Sequence, residues 1–235
     1  MKILTWNVLH RVHAETHEEA CIAHWPREET RVQGVGAKVA RAMMVEGFTV
    51  ALLQEVSGDV LAELRARMPG LSVLNHLSPR VPKQRGTSVR DPTEHLVVVA
   101  PAGALVIGHH TFANDSGKGF LMVSLPDGMT VISTHVSWGE KGEPQLSVLA
   151  KLMKEAIGPT ALGGDFNAAR EPISKALGLP ITAPPKGSLS TRAHEKGGAD
   201  IDHLICRHAT PRELRVLEHD DLSDHRPVAA TINVA

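Results

Sequence analysis

Residues 161–170 read ALGGDFNAAR, a short apolar run, two glycines, then a carboxylate and an amide two residues apart on either side of a phenylalanine. Gly, Asp and Asn are the common turn formers, so an ordinary turn is one reading. In extended backbone, residues i and i+2 share a face. On that reading Asp165 and Asn167 point the same way, at something that needs an oxygen and an amide. The same pattern recurs along the chain. Polar residues end or follow apolar runs at Asn7 in TWN, Glu55 in LLQEV, His135 in ISTHVSW, Asp202 in DIDHLI and Asp224–His225 in LSDHRP. A strand supplies the rigid support and a loop the exposed tip, which is where functional side chains are commonly held.

The apolar runs themselves set the fold class. KILTWNV, TVALLQEV, LSVLNHL, HLVVVA, ALVIGHH, FLMVSL, TVISTHV, TALGGDF, IDHLIC, RELRVLE and PVAATINV are short, β-branched or alternating, and bounded by turn formers. LPDGMTV carries a Pro-Asp-Gly turn and predicts a hairpin. Helical spacing appears in EETRVQGVGAKVARAMMVEG, in GDVLAELRARMPG after the N-cap Ser57, in EPQLSVLAKLMKEAIGP and in REPISKALGLP. So many strands with so few helices disfavour a strictly alternating parallel fold and predict two packed sheets with helices outside.

With 235 residues and no linker or repeat, the chain is expected to be a single domain, 1–235. A net charge of −1 provides no global attraction to polyanions, so any such binding has to come from local patches. Tyrosine is absent and aromatics are 3%, which argues against a broad base-stacking platform. No apolar run approaches the roughly 20 residues of a membrane span, and MKILTWN is too short for a secretory signal. Cys21 and Cys206 form no C-x-x-C, so a cytoplasmic, reducing setting is the expectation.

Taken together, TWN, LQE, GDFN and SDH in this order resemble the motifs of the endonuclease/exonuclease/phosphatase superfamily, from residue 5 to residue 227. The resemblance implies an α+β fold, a four-layer α/β/β/α sandwich of two mixed, mostly antiparallel sheets packed face to face with helices outside. It implies hydrolysis of phosphoester bonds with Mg²⁺ or Mn²⁺. Glu55 and Asp224 would be metal-side carboxylates, with Asn7 beside them. Asp165 would position and deprotonate the attacking water, and Asn167 would donate to a phosphoryl oxygen. His225 would meet the phosphate, its ring held by Asp202; which of Asp165 and His225 is the base stays open. His135 would contact the phosphate or the leaving oxygen. Glu94 falls where some relatives pair a glutamate with that histidine, although a solvent-facing Glu reads equally well. Lys118 falls where they have a phosphate-contacting arginine.

The remaining signals are weaker. The segment HLSPRVPKQRGTSVRDP holds Arg80, Lys83, Arg85 and Arg90, and is either a phosphate-gripping flap or a solvated basic loop. Trp138 could stack on a ring or pack on loop backbone, and Thr191 and Arg192 are candidate substrate contacts. Residues 10–24 contain His10, His13, His17 and His24 at spacings that fit no closed zinc pattern, so an exposed insertion beside the substrate is expected. The leading expectation is a nuclease whose partner is nucleic acid or a nucleotide, with no obligate protein partner. The alternatives are a phosphatase or phospholipase-like enzyme acting on inositol phosphates, nucleotides or lipid headgroups, and a binding module without activity.

Overall fold

Runs such as Ala51–Leu53 and Leu96–Ala100 are apolar at every position, so strands made from them must be covered on both faces. In the structure, a computed structural model describing residues 1–83, 89–193 and 198–234, a second sheet covers one face and helices the other. The first sheet has the order β10 (Ala209–Val216), β11 (Val228–Val234), β1 (Lys2–Asn7), β2 (Val50–Ser57), β4 (Glu94–Pro101), β3 (Leu71–Leu77). The second runs β5 (Leu105–Thr111), β6 (Gly119–Ser124), β7 (Thr130–His135), β8 (Thr160–Asp165), β9 (Asp202–Arg207). Ile3, Leu52, Val98, Leu121, Val131 and Leu204 interleave between the sheets. Outside the first sheet, α3 (Glu28–Met44) and α4 (Gly58–Arg67) bury Val35, Val39 and Leu64 against Leu4, Trp6 and Leu53. Outside the second, α5 (Gly142–Glu155) and α6 (Arg170–Leu177) bury Leu149, Met153 and Ile173 against Ile132, Leu162 and Ile205.

The expected sandwich is therefore the observed one, and each strand-like run of the sequence is a strand. LPDGMTV is the β6–β7 hairpin, with Gly128 at φ 87°. Ser57 caps α4 by accepting from the Val60 amide at 3.3 Å. No helix among the described residues is long and apolar enough to cross a membrane.

Two pairs of neighbouring strands break the antiparallel rule. β1 runs parallel to β2, and β7 runs parallel to β8. Asn7, His135 and Asp165 are the last residues of β1, β7 and β8, and Glu55 lies near the end of β2. The carboxyl ends of parallel strands open a crevice in which ligands commonly bind. In the second sheet the register sets Gly119, His135, Asp165 and Asp202 side by side in one row. Just beneath, Gln54 crosses the gap between the sheets, its Nε2 donating to Ser133 Oγ at 3.1 Å and Thr5 Oγ1 at 3.2 Å.

The two glycines of GGDFN serve close approach rather than a turn. A Cβ on Gly163 would lie 2.6 Å from Leu204 Cδ2 and 2.8 Å from Leu52 Cδ1, and one on Gly164 would lie 1.9 Å from the Thr134 carbonyl oxygen. Asp165 can sit where it does only because the backbone before it is bare. Glu55 is placed by a different device. The β2–β4 register slips between Leu53 and Val56, and Glu55 takes a left-handed conformation (φ 54°) that turns its side chain out of the strand row. Such a conformation costs a non-glycine residue about 1–2 kcal/mol, which the bulge and its hydrogen bonds must offset.

Residues 10–24 correct the expectation of an exposed insertion. They form α1 (Arg11–His17) and α2 (Cys21–His24), with Leu9, Ala14 and Cys21 packed into a small core of their own. His10 and Arg11 are buried, and Arg11 Nη1 donates to the Trp25 carbonyl at 2.8 Å. The segment lacks a regular apolar period because it buries side chains by hydrogen bonding as much as by packing.

Replacing Gly164 by alanine forces the Thr134 peptide to move, an overpacking cost of about 3 kcal/mol. Urea denaturation should register it as a lowered midpoint with little change in slope.

Candidate active site

The row across the second sheet and the ends of β1 and β2 meet in a cleft of about 260 Å³. Glu55, Asp165, Asn167, His135, Asp224 and His225 all line it. Asn7 ties the two halves together, since its Nδ2 donates to Glu55 Oε1 at 3.1 Å and to Asp165 Oδ2 at 3.0 Å. Its Oδ1 accepts from the Leu9 amide at 3.0 Å, so Asn7 presents donors rather than an oxygen to the site. The second carboxylate oxygen of Glu55 accepts from the His10 amide at 3.2 Å. Asp165 Oδ1 accepts from the Asn167 amide at 2.9 Å. That contact closes a tight turn with Asn167 at φ 49°, a conformation asparagine tolerates well. The Asn167 side-chain amide donates one hydrogen to the Val136 carbonyl at 2.9 Å and lies 3.4 Å from His135 Nε2.

His225 Nδ1 pairs with Asp202 Oδ2 at 2.8 Å, inside the protein. Its Nε2 faces the cleft, 3.8 Å from both Asp165 Oδ2 and Asp224 Oδ2. Asp202 is itself braced by Thr191. The Thr191 hydroxyl accepts from the Ile201 and Asp202 amides and is buried, so Thr191 is a brace and not a substrate contact. Asp224 accepts from Arg192 Nε at 2.9 Å, and Arg192 Nη2 reaches Glu19 at 3.3 Å. Arg31 is fully buried and secures the loops on both sides. It forms a two-pronged pair with Glu28 (2.7 and 2.8 Å) and donates to the Val8 and Leu222 carbonyls, each at 2.9 Å. One guanidinium thus holds the residue after Asn7 and the residue before the SDH motif.

Charge in this cleft is strongly coupled. Burial works against ionised Glu55, but His13, His135 and Lys118 outweigh it and hold the carboxyl well below its ordinary range. Asp165 is likewise buried, and His225 and His135 keep it ionised. Burial pushes Asp202 up to about 6. Burial also opposes charge on His225, yet Asp202, Asp224 and Asp165 raise it to about 10. At neutral pH the pair therefore carries its proton on the ring.

The donor set suits a hard divalent cation. Ligand atoms of Glu55, His135 and Asp165 lie within 4.8 Å of one another, as do those of Asp165, Asp202 and His225. Asp202 Oδ1 and Asp224 Oδ1 are buried with no hydrogen-bond partner among the described residues. Unpaired buried carboxylate oxygens are costly, and a bound cation is one way to satisfy them. Asp224 is in neither of these convergent groups, and its Oδ2 is committed to Arg192.

The remaining candidates divide. Lys118 Nζ rests against the His135 ring, 3.1 Å from Nδ1. Trp138 stands on the rim and is 55% exposed. Glu94 is neither solvent-facing nor paired with His135. It is buried, and His13 Nε2 lies 2.8 Å from its Oε2, because α1 folds back over the start of β4 while Lys118 occupies the His135 ring. Arg85 lies outside the described residues. Arg80, from the basic segment, lines the cleft, 3.5 Å from Asp115. His13, His17 and Glu19 also line it and were missed as site residues. No local motif marks them; they reach the cleft only through the packing of α1.

The sequence profile of the Endonuclease/Exonuclease/phosphatase family matches residues 4–225, and the chain belongs to that family, which groups nucleases with phosphatases. A curated relative, a UPF0294 protein of Vibrio campbellii, is 34% identical over 100 residues, 40% of this chain. That alignment spans only 35% of the relative's own length. Among solved structures, D. rerio TDP2 complexed with a single-strand DNA product aligns with a TM-score of 0.68 at 15% identity, covering 100% of this chain and 99% of that one. The mannosyl-6-phosphatase Bt3783 of Bacteroides thetaiotaomicron aligns at 0.66 and 13% identity, covering 99% of each. At such identities the likeness is one of fold alone.

Changing Asp202 to asparagine removes the carboxylate closest to the His225 ring. The His225 pKa should fall by about 1–3 units, followed by NMR titration of the ring in metal-free protein.

Proposed function

We propose that the chain is a Mg²⁺- or Mn²⁺-dependent phosphodiesterase, acting on a nucleotide or on the end of a nucleic-acid strand. The observation that carries the reading is the convergence of Glu55, Asp165 and His135, with the His225–Asp202 pair beside them, on one small cleft. A divalent ion, when bound, would supply positive charge at the phosphoryl oxygens and the leaving oxygen; Glu55 would be an oxygen donor to hold it. Asp165, fixed by Asn7 and the Asn167 amide, orients the attacking water and accepts its proton. The protonated ring of His225 directs Nε2–H toward a phosphoryl oxygen, and Asp202 keeps the ring from turning. Arg80, Lys118 and the remaining Asn167 hydrogen complete the anion-binding wall.

The surroundings favour a compact substrate or a strand end over a long duplex. A wider basin of about 1130 Å³ adjoins the cleft, where Glu18, Glu19, Glu218, Asp221 and Asp224 outnumber Arg192 and Arg226. A duplex lying across that side would set its phosphates against carboxylates. The same observation supports a second reading, a phosphatase for a small phosphate ester.

Purified protein with Mg²⁺ should hydrolyse bis(p-nitrophenyl) phosphate, lose activity in EDTA, and lose about 10²–10⁴-fold in kcat when Asp165 becomes asparagine. Activity that survives EDTA rules out the metal-dependent mechanism. In a second assay, cleavage of single strands and nucleotides should respond weakly to salt. A steep loss between about 50 and 200 mM salt would instead mark an enzyme gripping several phosphates of a polymer.

A further inference from the structure

The His13–Glu94 pair lies outside TWN, LQE, GDFN and SDH, yet it is built like a functional dyad. Glu94 opens β4 and is 2% exposed, and His13 Nε2, 2.8 Å away, is its only side-chain hydrogen-bond partner among the described residues. A buried carboxylate behind an imidazole fixes the tautomer and the direction of the ring. His13 is itself placed by the site. Asn7 ends β1, the His10 amide donates to Glu55, and His10 caps α1 by accepting from the Val12 amide at 3.2 Å. One helical turn on, the His13 ring reaches the cleft, lining it together with Lys118, Arg80, His135 and the carboxylates of Glu55 and Asp165. Its Nδ1 has no hydrogen-bond partner among the described residues. A ring held only for structure would have no reason to stand in the cleft with one nitrogen uncommitted.

We infer that His13 is a further substrate-contacting residue, whose Nδ1–H donates to a phosphoryl oxygen, and that Glu94 is the positioning residue that aims it. The inference rests on the phosphoesterase reading above and extends it to a residue from the α1 segment. With Nε2 committed to Glu94, the ring can donate from Nδ1 only as imidazolium. Burial opposes that charge, but Glu55 and the hydrogen bond to Glu94 raise the His13 pKa. An imidazolium at this wall would add a fixed cation opposite the metal-side carboxylates, where the phosphoryl group has to be neutralised.

The test uses two readouts on the whole chain with Mg²⁺: binding of inorganic phosphate, and turnover of bis(p-nitrophenyl) phosphate. His13→Gln retains a hydrogen-bonding amide for Glu94 and guards against misfolding, which thermal melting checks. It should weaken phosphate binding and lower kcat/KM by about 10–100-fold, the worth of one charge-assisted hydrogen bond. Glu94→Gln should give a smaller loss and shift the acid-to-neutral pH profile, an effect that a purely structural role would not produce. In wild type, the His13 ring signals should move on adding phosphate. The inference is overturned if His13→Gln and His13→Ala both retain phosphate affinity and turnover within twofold, or if phosphate leaves the His13 signals unmoved. Loss of phosphate binding in the variants of a protein that turns over no ester supports His13 and rejects the enzymatic reading. Full turnover and full phosphate affinity in both variants do the reverse.

Discussion

Negative charge concentrated out of water is the constraint to which most of the molecule responds. Glu55, Asp165 and Asp224 line one cleft, with Asp202 just behind the His225 ring, and all but Glu55 are almost wholly buried. In a low-dielectric interior such charges repel strongly and each is costly to desolvate. The protein answers with the His225 ring between Asp202 and Asp165, Lys118 and His135 near Glu55, Arg192 on Asp224, and Asn7 bridging Glu55 and Asp165. Among the described residues, the buried Oδ1 atoms of Asp202 and Asp224 are still left without a hydrogen-bond partner. Such a donor set suits a hard divalent cation. The site is thus first an electrostatic problem of folding.

The scaffold makes that concentration possible because two sheets, each with one parallel strand pair, stack so that the four carboxyl ends meet. Gln54 hydrogen-bonds across the seam directly below, and the bare backbone of Gly163–Gly164 lets the sheets close. Arg31 then fastens the loops following β1 and preceding the SDH motif to one helix. Packing, hydrogen bonding and two left-handed residues, Glu55 and Asn167, are spent on positioning a few atoms.

Most of this was legible in the residues. Short alternating or wholly apolar runs bounded by turn formers mark the strands, since strands covered on one or both faces leave a direct imprint on composition. The strand-end residues could be grouped because they share chemistry and order. What stayed hidden depends on distant pairings. Glu94 and His13 are 81 residues apart, and the sequence reading set Glu94 against His135 or solvent. The α1–α2 segment carries little apolar periodicity, with His10 and Arg11 buried through hydrogen bonds that no pattern announces. Thr191, read as a substrate contact, turned out to brace Asp202 because its hydroxyl is used up by two backbone amides.

The place of β1 has a consequence for biosynthesis. Of the described strands it is made first, but it lies between β2 and β11, and its pairing with β11 joins residues as far apart as Lys2 and Thr231. Closing so long a loop is entropically slow. Until residues 228–234 leave the ribosome, one edge of β1 waits unpaired, and the Asp224–His225 half of the cleft has only just emerged. The nascent chain thus cannot complete this cleft until translation has passed β11.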